Sequence, residues 1–457
     1  MTEQLQLTPV LNTSYLPITH KPRLVYLLLE VGGGVDSGSL PVNLGLVVDT
    51  SESMHIRLAT EIQFKELARM GMLQEVLVDG VPAWESGEIP VEALMRLPRK
   101  IDLVKHALRA AVEQLRSSDR FSLVAFASEA VTLIPSTSGS QKRCLLDAVE
   151  GLDRLQLGDK TYIGRGMALS FEELRKGVSP GLADRLLVLT DGFTLDEDDC
   201  RAWAAHARQA RIPISTMGLG GEFNEELMIP IADQTGGEAY LLEAPEDIPT
   251  TFAQELQRAQ AVRYRNLELK LRLPQGVAVR AAYRVCPSIA PLEAINEGGS
   301  YSFPLSDLVA GEEPALLLEL MVPPRPAGVY RLAQALLASD DPAGGRAGLK
   351  TRADVVVEYT SDQAQAAQQV AQVMDVVEAL SAYKLQRRAR ADLEAGNVAG
   401  ATHKLRAAAT RLLDMGEKEL AAEMEQQVRE LEQRGQADPR RTKKLRYETR
   451  KLTQKLT

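Results

Sequence analysis

The sequence has few of the residues from which disulfide frameworks and zinc sites are built. Only three cysteines and five histidines occur among 457 residues, and Cys144, Cys200 and Cys286 lie far apart. An odd number of widely spaced cysteines supports neither a disulfide scaffold nor a zinc-binding motif. We therefore expect the cysteines to be small core residues with reduced thiols, as in cytoplasmic proteins.

Long apolar runs are also missing from the sequence. No run approaches the roughly 18 apolar residues that a membrane-spanning helix needs. The run at 24–29 follows a polar leader and ends at Glu30, so it is too short and too late for a secretory signal peptide. These features predict a protein without a membrane segment, located in the cytoplasm.

Charge is distributed unevenly along an otherwise ordinary globular composition. Hydrophobic residues make up 45% of the chain and charged residues 25%, and the formal net charge is −9. Residues 440–457, however, contain eight Lys or Arg and one Glu. This basic tail predicts a solvated helix face, a site for an acidic protein or, less readily because Tyr447 is its only aromatic residue, a nucleic-acid contact.

The periodicity of the sequence divides the chain into four predicted domains. Residues 41–261 alternate strands with helices, the pattern of a doubly wound, Rossmann-like α/β sheet. Residues 262–360 have the two-residue alternation of an antiparallel β-sandwich, which the strands of residues 1–40 are expected to complete. Residues 361–457 are predicted to form a helical bundle, with Gly396, Gly416 and Gly435 between its helices. The fold class is therefore multidomain α/β, all-β and α.

An insertion at residues 55–99 interrupts the α/β pattern after its first strand. The insertion is predicted to contain a helix at 61–70 and a hairpin at 75–84 that turns at Asp79-Gly80. Because it begins beside the polar residues that follow the first strand, it could gate or select a ligand. A surface hairpin without a binding role is the alternative.

Polar oxygens follow two of the apolar strands. Asp49, Ser51 and Ser53 come directly after the strand at 44–48, Asp191 follows the strand at 186–189, and Thr161 precedes a helix. Ligands of open α/β sheets bind beyond the carboxyl ends of the strands. One carboxylate and two hydroxyls in a single turn suit a small divalent cation with oxygen ligands, Mg²⁺ first and Mn²⁺ or Ca²⁺ as alternatives.

These residues resemble a known family. Asp49-Thr-Ser51-Glu-Ser53, with Thr161 and Asp191 downstream in that order, is similar to the metal-ion-dependent adhesion site of von Willebrand factor type A domains. The resemblance implies that the three hydroxyls ligate Mg²⁺ and that the two aspartates act mainly through water. The family usually has glycine between the serines, where this chain has Glu52, so an extra negative charge is expected at the mouth of the site.

The resemblance also implies an architecture and a function. A von Willebrand factor type A domain inserted in a β-sandwich resembles the arrangement of inter-α-trypsin inhibitor heavy chains and of similar bacterial proteins. It implies a Mg²⁺-dependent protein–protein interaction module or scaffold that binds an exposed Asp or Glu of a partner protein. The lack of long apolar runs and of catalytic motifs adds the expectation of no membrane contact and no enzymatic activity. An adaptor subunit of an AAA+ ATPase is an alternative.

An enzyme is the remaining alternative for this sequence. Asp49 could act as the nucleophile of a Mg²⁺-dependent aspartyl phosphotransferase. That chemistry needs a second aspartate two residues further on as general acid, and Ser51 occupies that position. The acidic run at 196–199 could suggest a calcium site, but acids at the start of a predicted helix are expected to interact with its dipole.

Overall fold

The computed structural model separates the chain into two compact units. It describes residues 5–33, 40–57, 61–78, 81–86, 92, 95–177, 181–244 and 247–456. Unit 1 contains residues 1–40 and 261–457, and unit 2 contains residues 41–260. Unit 2 is thus inserted in the sequence of unit 1. A further boundary at residue 360 stays a prediction.

Unit 2 contains most of the predicted strand–helix alternation. Three strands precede it in the chain: β1 (Gln6–Leu11), β2 (Tyr15–Pro17) and β3 (Arg23–Gly32). The strands of unit 2 are β4 (Val42–Asp49), β5 (Leu73–Val78), β6 (Val81–Ser86), β7 (Arg120–Phe126), β8 (Ala130–Ser138), β9 (Ala183–Thr190), β10 (Ile214–Leu219) and β11 (Ala239–Leu242). Its helices are α1 (Glu61–Arg69), α2 (Lys100–Gln114), α3 (Lys142–Val149), α4 (Ile163–Lys176), α5 (Glu197–Ala210), α6 (Glu225–Thr235) and α7 (Asp247–Gln260).

Six of these strands form one twisted sheet in the order β11-β10-β9-β4-β7-β8. The pairs within β11, β10, β9, β4 and β7 are parallel, and β8 pairs antiparallel with β7 at the edge. All eight residues of β4 are buried because helices cover the sheet on both faces. The order reverses at β4, and this places a ligand site beyond its carboxyl end.

Successive residues of β4 contact helices on opposite faces of the sheet. Leu44, Leu46 and Val48 belong to a core cluster shared with α2 and α7. Gly45 faces α4 instead, where an added Cβ would lie 2.6 Å from Ser170 Oγ and 3.1 Å from Leu174 Cγ. Glycine at this position therefore lets α4 approach the sheet closely.

The two ends of the insertion are joined by an antiparallel bridge, and the insertion contains the predicted helix and two paired strands. Strands β5 and β6 pair antiparallel, and α1 precedes them, as expected. Arg57 and Arg99 form an antiparallel bridge, and the Arg57 guanidinium donates to the carbonyl of Leu97 at 2.6 Å. The predicted turn at Asp79-Gly80 lies outside the described residues.

Unit 1 contains the predicted sandwich. After unit 2 its strands are β12 (Val262–Arg272), β13 (Ala278–Cys286), β14 (Ala290–Pro291), β15 (Ile295–Glu297), β16 (Ser300–Pro304), β17 (Leu308–Val309), β18 (Ala315–Val322), β19 (Gly328–Asp341) and β20 (Arg346–Thr360). One sheet has the order β1-β3-β18-β13-β14, and the other has the order β15-β16-β12-β19-β20-β2, with β17 also paired to β12. The leading strands therefore pair within both sheets, β1 and β3 in the first and β2 in the second.

One departure from the predicted antiparallel sandwich lies at an edge. The three-residue strand β2 pairs parallel with β20. The other described pairs of the two sheets are antiparallel. Apolar side chains from both sheets, including Leu27 of β3 and Leu269 of β12, share one core cluster.

The predicted helical region packs on the outer face of the five-stranded sheet. Its helices are α8 (Gln363–Ala366), α9 (Ala371–Glu394), α10 (Val398–Asp414), α11 (Lys418–Arg434) and α12 (Pro439–Arg450). Gly396, Gly416 and Gly435 follow α9, α10 and α11 with φ values of 75°, 83° and 70°, which favour glycine at a helix end. Leu28 and Leu317 of the sheet lie in the same core cluster as the buried residues of these helices.

Several charged side chains of the basic tail at 440–457 form ion pairs or are buried within unit 1. Arg441 pairs with Glu430 at 3.5 Å and Lys444 with Glu423 at 3.0 Å. Lys443 and Arg450 are buried, so the predicted solvated basic face does not include them. Leu445 and Leu452 are buried, whereas Leu456, which lies beyond the end of α12 at Arg450, is 38% exposed.

The structure also bears on two further predictions, one about the cysteines and one about membrane-spanning helices. Cys200 and Cys286 are buried, but the expectation that all three cysteines lie in the core is wrong for Cys144, which is exposed. Its position is on the solvent side of the short helix α3, whose buried residues are Leu145 and Val149. Among the described helices, none combines the length and hydropathy needed to cross a bilayer.

Candidate metal centre

The predicted site residues lie at the carboxyl edge of the six-stranded sheet. Asp49 is the last residue of β4, and Asp191 directly follows β9, the parallel neighbour of β4. A short 3-10 helix at Glu52–His55 begins immediately after Ser51. The parallel pairing of β4 with β9 therefore brings together two loops that are far apart in the sequence.

Asp49 is fully buried and both of its carboxylate oxygens accept hydrogen bonds. Oδ1 accepts from the backbone N–H of Ser51 at 2.8 Å, and Oδ2 accepts from the Thr190 hydroxyl at 2.7 Å. Burial raises the pKa of Asp49 to about 6, the charge of Asp191 adds to the increase, and the bonds from Ser51 and Thr190 oppose it. A cation in this place would favour the ionised carboxylate.

Three oxygens form a chain from Ser51 to Asp191. The hydroxyls of Ser51 and Ser53 lie 3.1 Å apart, and the Ser53 hydroxyl donates to Asp191 Oδ1 at 2.7 Å. Neighbouring ligands of an octahedral Mg²⁺ ion with bonds of about 2.1 Å lie about 3 Å apart. The spacing of the two hydroxyls therefore fits adjacent ligand positions on a small divalent cation.

Thr161 completes the group beside the Asp191-Gly192 turn. It is buried, and its hydroxyl lies 3.7 Å from the point where a Cβ on Gly192 would be. Its carbonyl accepts from the backbone N–H of Leu195 at 3.0 Å and from the hydroxyl of Thr194 at 3.2 Å. The structure thus brings Thr161 to the same edge as the serines and the two aspartates.

The residues present are suited to Mg²⁺ rather than to zinc. The described part of the chain contains no group of three or more His, Cys, Asp or Glu side chains arranged for a metal. The candidate centre instead combines three hydroxyls with two aspartates, and Mg²⁺ accepts such oxygen ligands. Glu52 is exposed at the start of the short helix beside the serines.

Lys100 is a member of this centre that the sequence did not reveal. Its ammonium lies 2.5 Å from Asp191 Oδ2, and the two side chains are 14% and 0% exposed. Lys100 is the first residue of α2, and its backbone N–H donates to the carbonyl of Ile56 at 3.2 Å. The folded insertion brings it to the serine turn, so no local sequence pattern indicates its role.

Asp196 holds the Asp191 loop against the start of α4. Its carboxylate accepts from the Thr194 hydroxyl at 2.6 Å and from the backbone N–H of Arg165 at 3.2 Å. Glu197, Asp198 and Asp199 occupy the first turn of α5, which agrees with the expected interaction of acids with a helix dipole. Asp196 therefore has a structural role that the sequence did not indicate.

Two family models match separate parts of the chain. The von Willebrand factor type A domain matches residues 95–254, which include Thr161 and Asp191 and begin inside the insertion. The Sll0103-like C-terminal alpha-helical domain matches residues 371–455, the region of α9 to α12.

Two curated bacterial proteins are similar to this chain in sequence. The uncharacterised protein sll0103 of Synechocystis is 28% identical over 314 residues, which is 68% of this chain and 74% of that protein. The uncharacterised protein YfbK of Escherichia coli is 25% identical over 261 residues, which is 55% of this chain and 44% of that protein.

Two solved structures share the fold over nearly the whole chain. The von Willebrand factor type A protein from Catenulispora acidiphila has a TM-score of 0.73 at 17% identity and covers 98% of this chain and 97% of its own. The ArnB paralog VWA2 from Sulfolobus acidocaldarius has a TM-score of 0.60 at 17% identity, with 98% and 99% covered. The chain therefore contains a von Willebrand factor type A domain and an Sll0103-like C-terminal helical domain, together with additional β-sheets.

Proposed function

We propose that the protein is a Mg²⁺-dependent protein-recognition module that binds a carboxylate of a partner. The observation that carries the proposal is the chain of oxygens from Ser51 through Ser53 to Asp191, with a hydroxyl spacing of 3.1 Å that suits a small cation. Von Willebrand factor type A domains mediate protein–protein interactions, which supports the general role.

The balance of neutral and charged ligands explains why a carboxylate would bind. Mg²⁺ would be held by the neutral hydroxyls of Ser51, Ser53 and Thr161. The carboxylates of Asp49 and Asp191 would act mainly through water. Mg²⁺ held mainly by neutral oxygens keeps much of its positive charge. An Asp or Glu of the partner would provide an anionic ligand and complete the octahedral shell.

A binding role accounts for Asp49 better than a catalytic role. Both of its oxygens accept hydrogen bonds from Ser51 and Thr190, and its side chain is fully buried. A phosphotransferase nucleophile needs an oxygen that is free to attack the substrate. We therefore propose a binding protein and not an enzyme.

The experiment that tests this function is peptide selection in the presence and absence of the metal. A displayed library of random peptides would be bound to the full chain in MgCl₂ and eluted with EDTA. The eluted peptides should share an Asp or Glu, and Ser53→Ala should lose them while remaining folded by circular dichroism. Peptides that remain bound in excess EDTA would contradict the proposal.

An adaptor of an AAA+ ATPase would be a special case of the same module. The bound carboxylate would then belong to the ATPase, and the complex should dissociate in EDTA. Copurification of an ATPase with the wild type but not with Ser53→Ala would support this alternative.

A further inference from the structure

Several exposed apolar side chains of unit 2 belong to the loops of the candidate metal centre or to the insertion at 55–99. Among the described residues 41–260, every exposed large hydrophobic side chain lies in a loop of that centre or in the insertion at 55–99. These residues are Ile56, Met70, Met95, Phe193 and Leu195, with exposed fractions of 53%, 65%, 63%, 62% and 63%. Three of them, Ile56, Phe193 and Leu195, lie in the loops of the centre itself and are candidates for an interaction surface.

Phe193 and Leu195 project from a backbone that is fixed by hydrogen bonds. The N–H of Gly192 donates to the Thr190 hydroxyl at 3.2 Å, and the N–H of Leu195 donates to the carbonyl of Thr161 at 3.0 Å. Thr194 between them is buried and bonded to Thr161 and Asp196. The same bonds that position a predicted metal ligand therefore hold two apolar side chains in solvent.

Ile56 likewise exposes its side chain from a hydrogen-bonded backbone, in the loop that carries Ser51 and Ser53. Its N–H donates to the carbonyl of Ser53 at 3.2 Å, and its own carbonyl accepts from the N–H of Lys100. The guanidinium of Arg57 donates to the carbonyl of Met95 at 3.0 Å and so ties this methionine to the same loop. Apolar side chains thus extend from both loops that carry site residues.

We infer that the partner presents a single acidic side chain with bulky apolar side chains close to it in sequence. This inference rests on the proposed function and names the chemistry of its ligand. A two-residue step spans at most about 7 Å and a four-residue step about 14 Å. Phe193 and Leu195 follow Asp191 by two and four residues, so they lie within these distances of the centre. An extended partner segment spans the same distances in two to four residues, and its apolar residues should therefore lie within about four positions of its acid.

The negative charge of this protein makes a run of acidic residues an unsuitable ligand. Glu52 is exposed beside the serines, and the chain as a whole has a formal charge of −9. Carboxylates that do not reach the metal would be repelled by this charge. Burial of Phe193 and Leu195 by apolar side chains would instead add affinity around the polar contact, as at the centres of other interfaces.

The test is an array of synthetic peptides probed with the full chain in MgCl₂. Each peptide has a central Asp, and the four positions on each side contain Leu and Phe, Ser only, or additional Asp. The wild type should bind the Leu and Phe peptides at least tenfold more tightly than the others. The double substitution Phe193→Ser and Leu195→Ser should remove this preference without changing the Mg²⁺ affinity measured by calorimetry.

Val329→Ser provides a matched control, because Val329 is also an exposed hydrophobic residue, at 67%, but belongs to unit 1. This variant should keep the wild-type preference. Equal Mg²⁺-dependent binding of all Asp peptides would overturn the inference and leave the proposed function intact. Binding that is independent of Asp and of Mg²⁺ would contradict both. Self-association of the wild type that disappears in the double variant would assign the apolar residues to a second copy and would also overturn the inference.

Discussion

At the scale of single residues, the centre depends on contacts between side chains that are distant in sequence. Ser53 and Asp191 are joined by a 2.7 Å hydrogen bond, and Lys100 reaches the other oxygen of the same carboxylate. The Lys100 ammonium neutralises part of the negative charge that would attract Mg²⁺. At the proposed Mg²⁺ site, this lysine would therefore reduce the affinity that the predicted ligands provide.

Replacing Lys100 by methionine should strengthen Mg²⁺ binding. Removal of a positive charge beside Asp191 lowers the repulsion of the cation, and we expect about a tenfold increase in affinity, or ~1.4 kcal/mol. Calorimetric titration with MgCl₂ measures the effect. Lys176→Met is the control, since Lys176 is 59% exposed and pairs at 2.6 Å with Glu173, a residue outside the candidate centre. Unchanged or weaker binding by Lys100→Met would show that the ammonium does not oppose the metal.

At the scale of secondary-structure elements, an ion cluster fixes the start of α2 against the segment after α3. Asp153 pairs with Arg99 at 2.6 Å and with Lys105 at 2.8 Å. Burial alone would raise the pKa of Asp153, but the hydrogen bonds from Lys105 and Arg99 dominate and hold it at about 2. The cluster therefore positions the helix that begins with Lys100.

This cluster should make stability depend on pH in the acid range. A folded-state pKa below the usual value of 3.8 adds stability above pH 4, which is lost as the pH falls towards 2. Asp153→Asn should lower the free energy of unfolding at pH 7 by about 1–2 kcal/mol, and the difference from the wild type should vanish near pH 2. Urea unfolding at several pH values measures it. Asp198→Asn, at a fully exposed helix start, should leave the free energy of unfolding nearly unchanged at every pH.

The approach of α4 to β4 gives a second prediction at this scale. An alanine at Gly45 would place its Cβ 2.6 Å from Ser170 Oγ, so the helix or the side chain must move. We expect Gly45→Ala to reduce the free energy of unfolding by about 1–3 kcal/mol. Combining it with Ser170→Ala, which removes the Oγ atom and keeps a good helix former, should recover part of the loss if this contact is the cause. A Gly45→Ala protein as stable as the wild type in thermal unfolding would contradict the packing argument.

At the scale of the whole molecule, the helical region contributes to the core of unit 1. Leu28 of β3 is 1% exposed and lies in the cluster that contains the buried residues of α9 to α12, whereas its neighbours Leu27 and Leu29 face the interior of the sandwich. The five-stranded sheet is therefore buried on both faces. The helices and the sandwich should unfold together.

Leu28→Ala tests this coupling. The cavity between sheet and helices should lower the free energy of unfolding of unit 1 by about 2–5 kcal/mol and accelerate proteolysis after residue 360. Limited trypsin digestion followed by mass spectrometry locates the cleavage. Val356→Ala on the exposed side of β20, 50% exposed, should leave both measurements unchanged. Faster unfolding without new cleavage near residue 360 would mean that the helices do not depend on this face.

Much of the architecture follows from patterns that are local in the sequence. The continuous apolar run of β4, the helix at Glu197–Ala210 and the glycines after α9 to α11 were predicted because propensity, period and end signals agree there. The short strands β14 to β17 were not predicted. Their two to five residues are too few for a clear alternation, and only pairing with longer strands stabilises them.

By itself, the amino-acid sequence determined the fold class and the five polar residues of the candidate centre, because strand ends and nearby side chains are encoded within a few positions. Only the tertiary structure decided which other groups join them. Lys100 reaches Asp191, Phe193 and Leu195 remain in solvent, and Lys443 and Arg450 are buried. These outcomes depend on the packing of elements that are distant along the chain, and such packing leaves no periodic signal in any one segment.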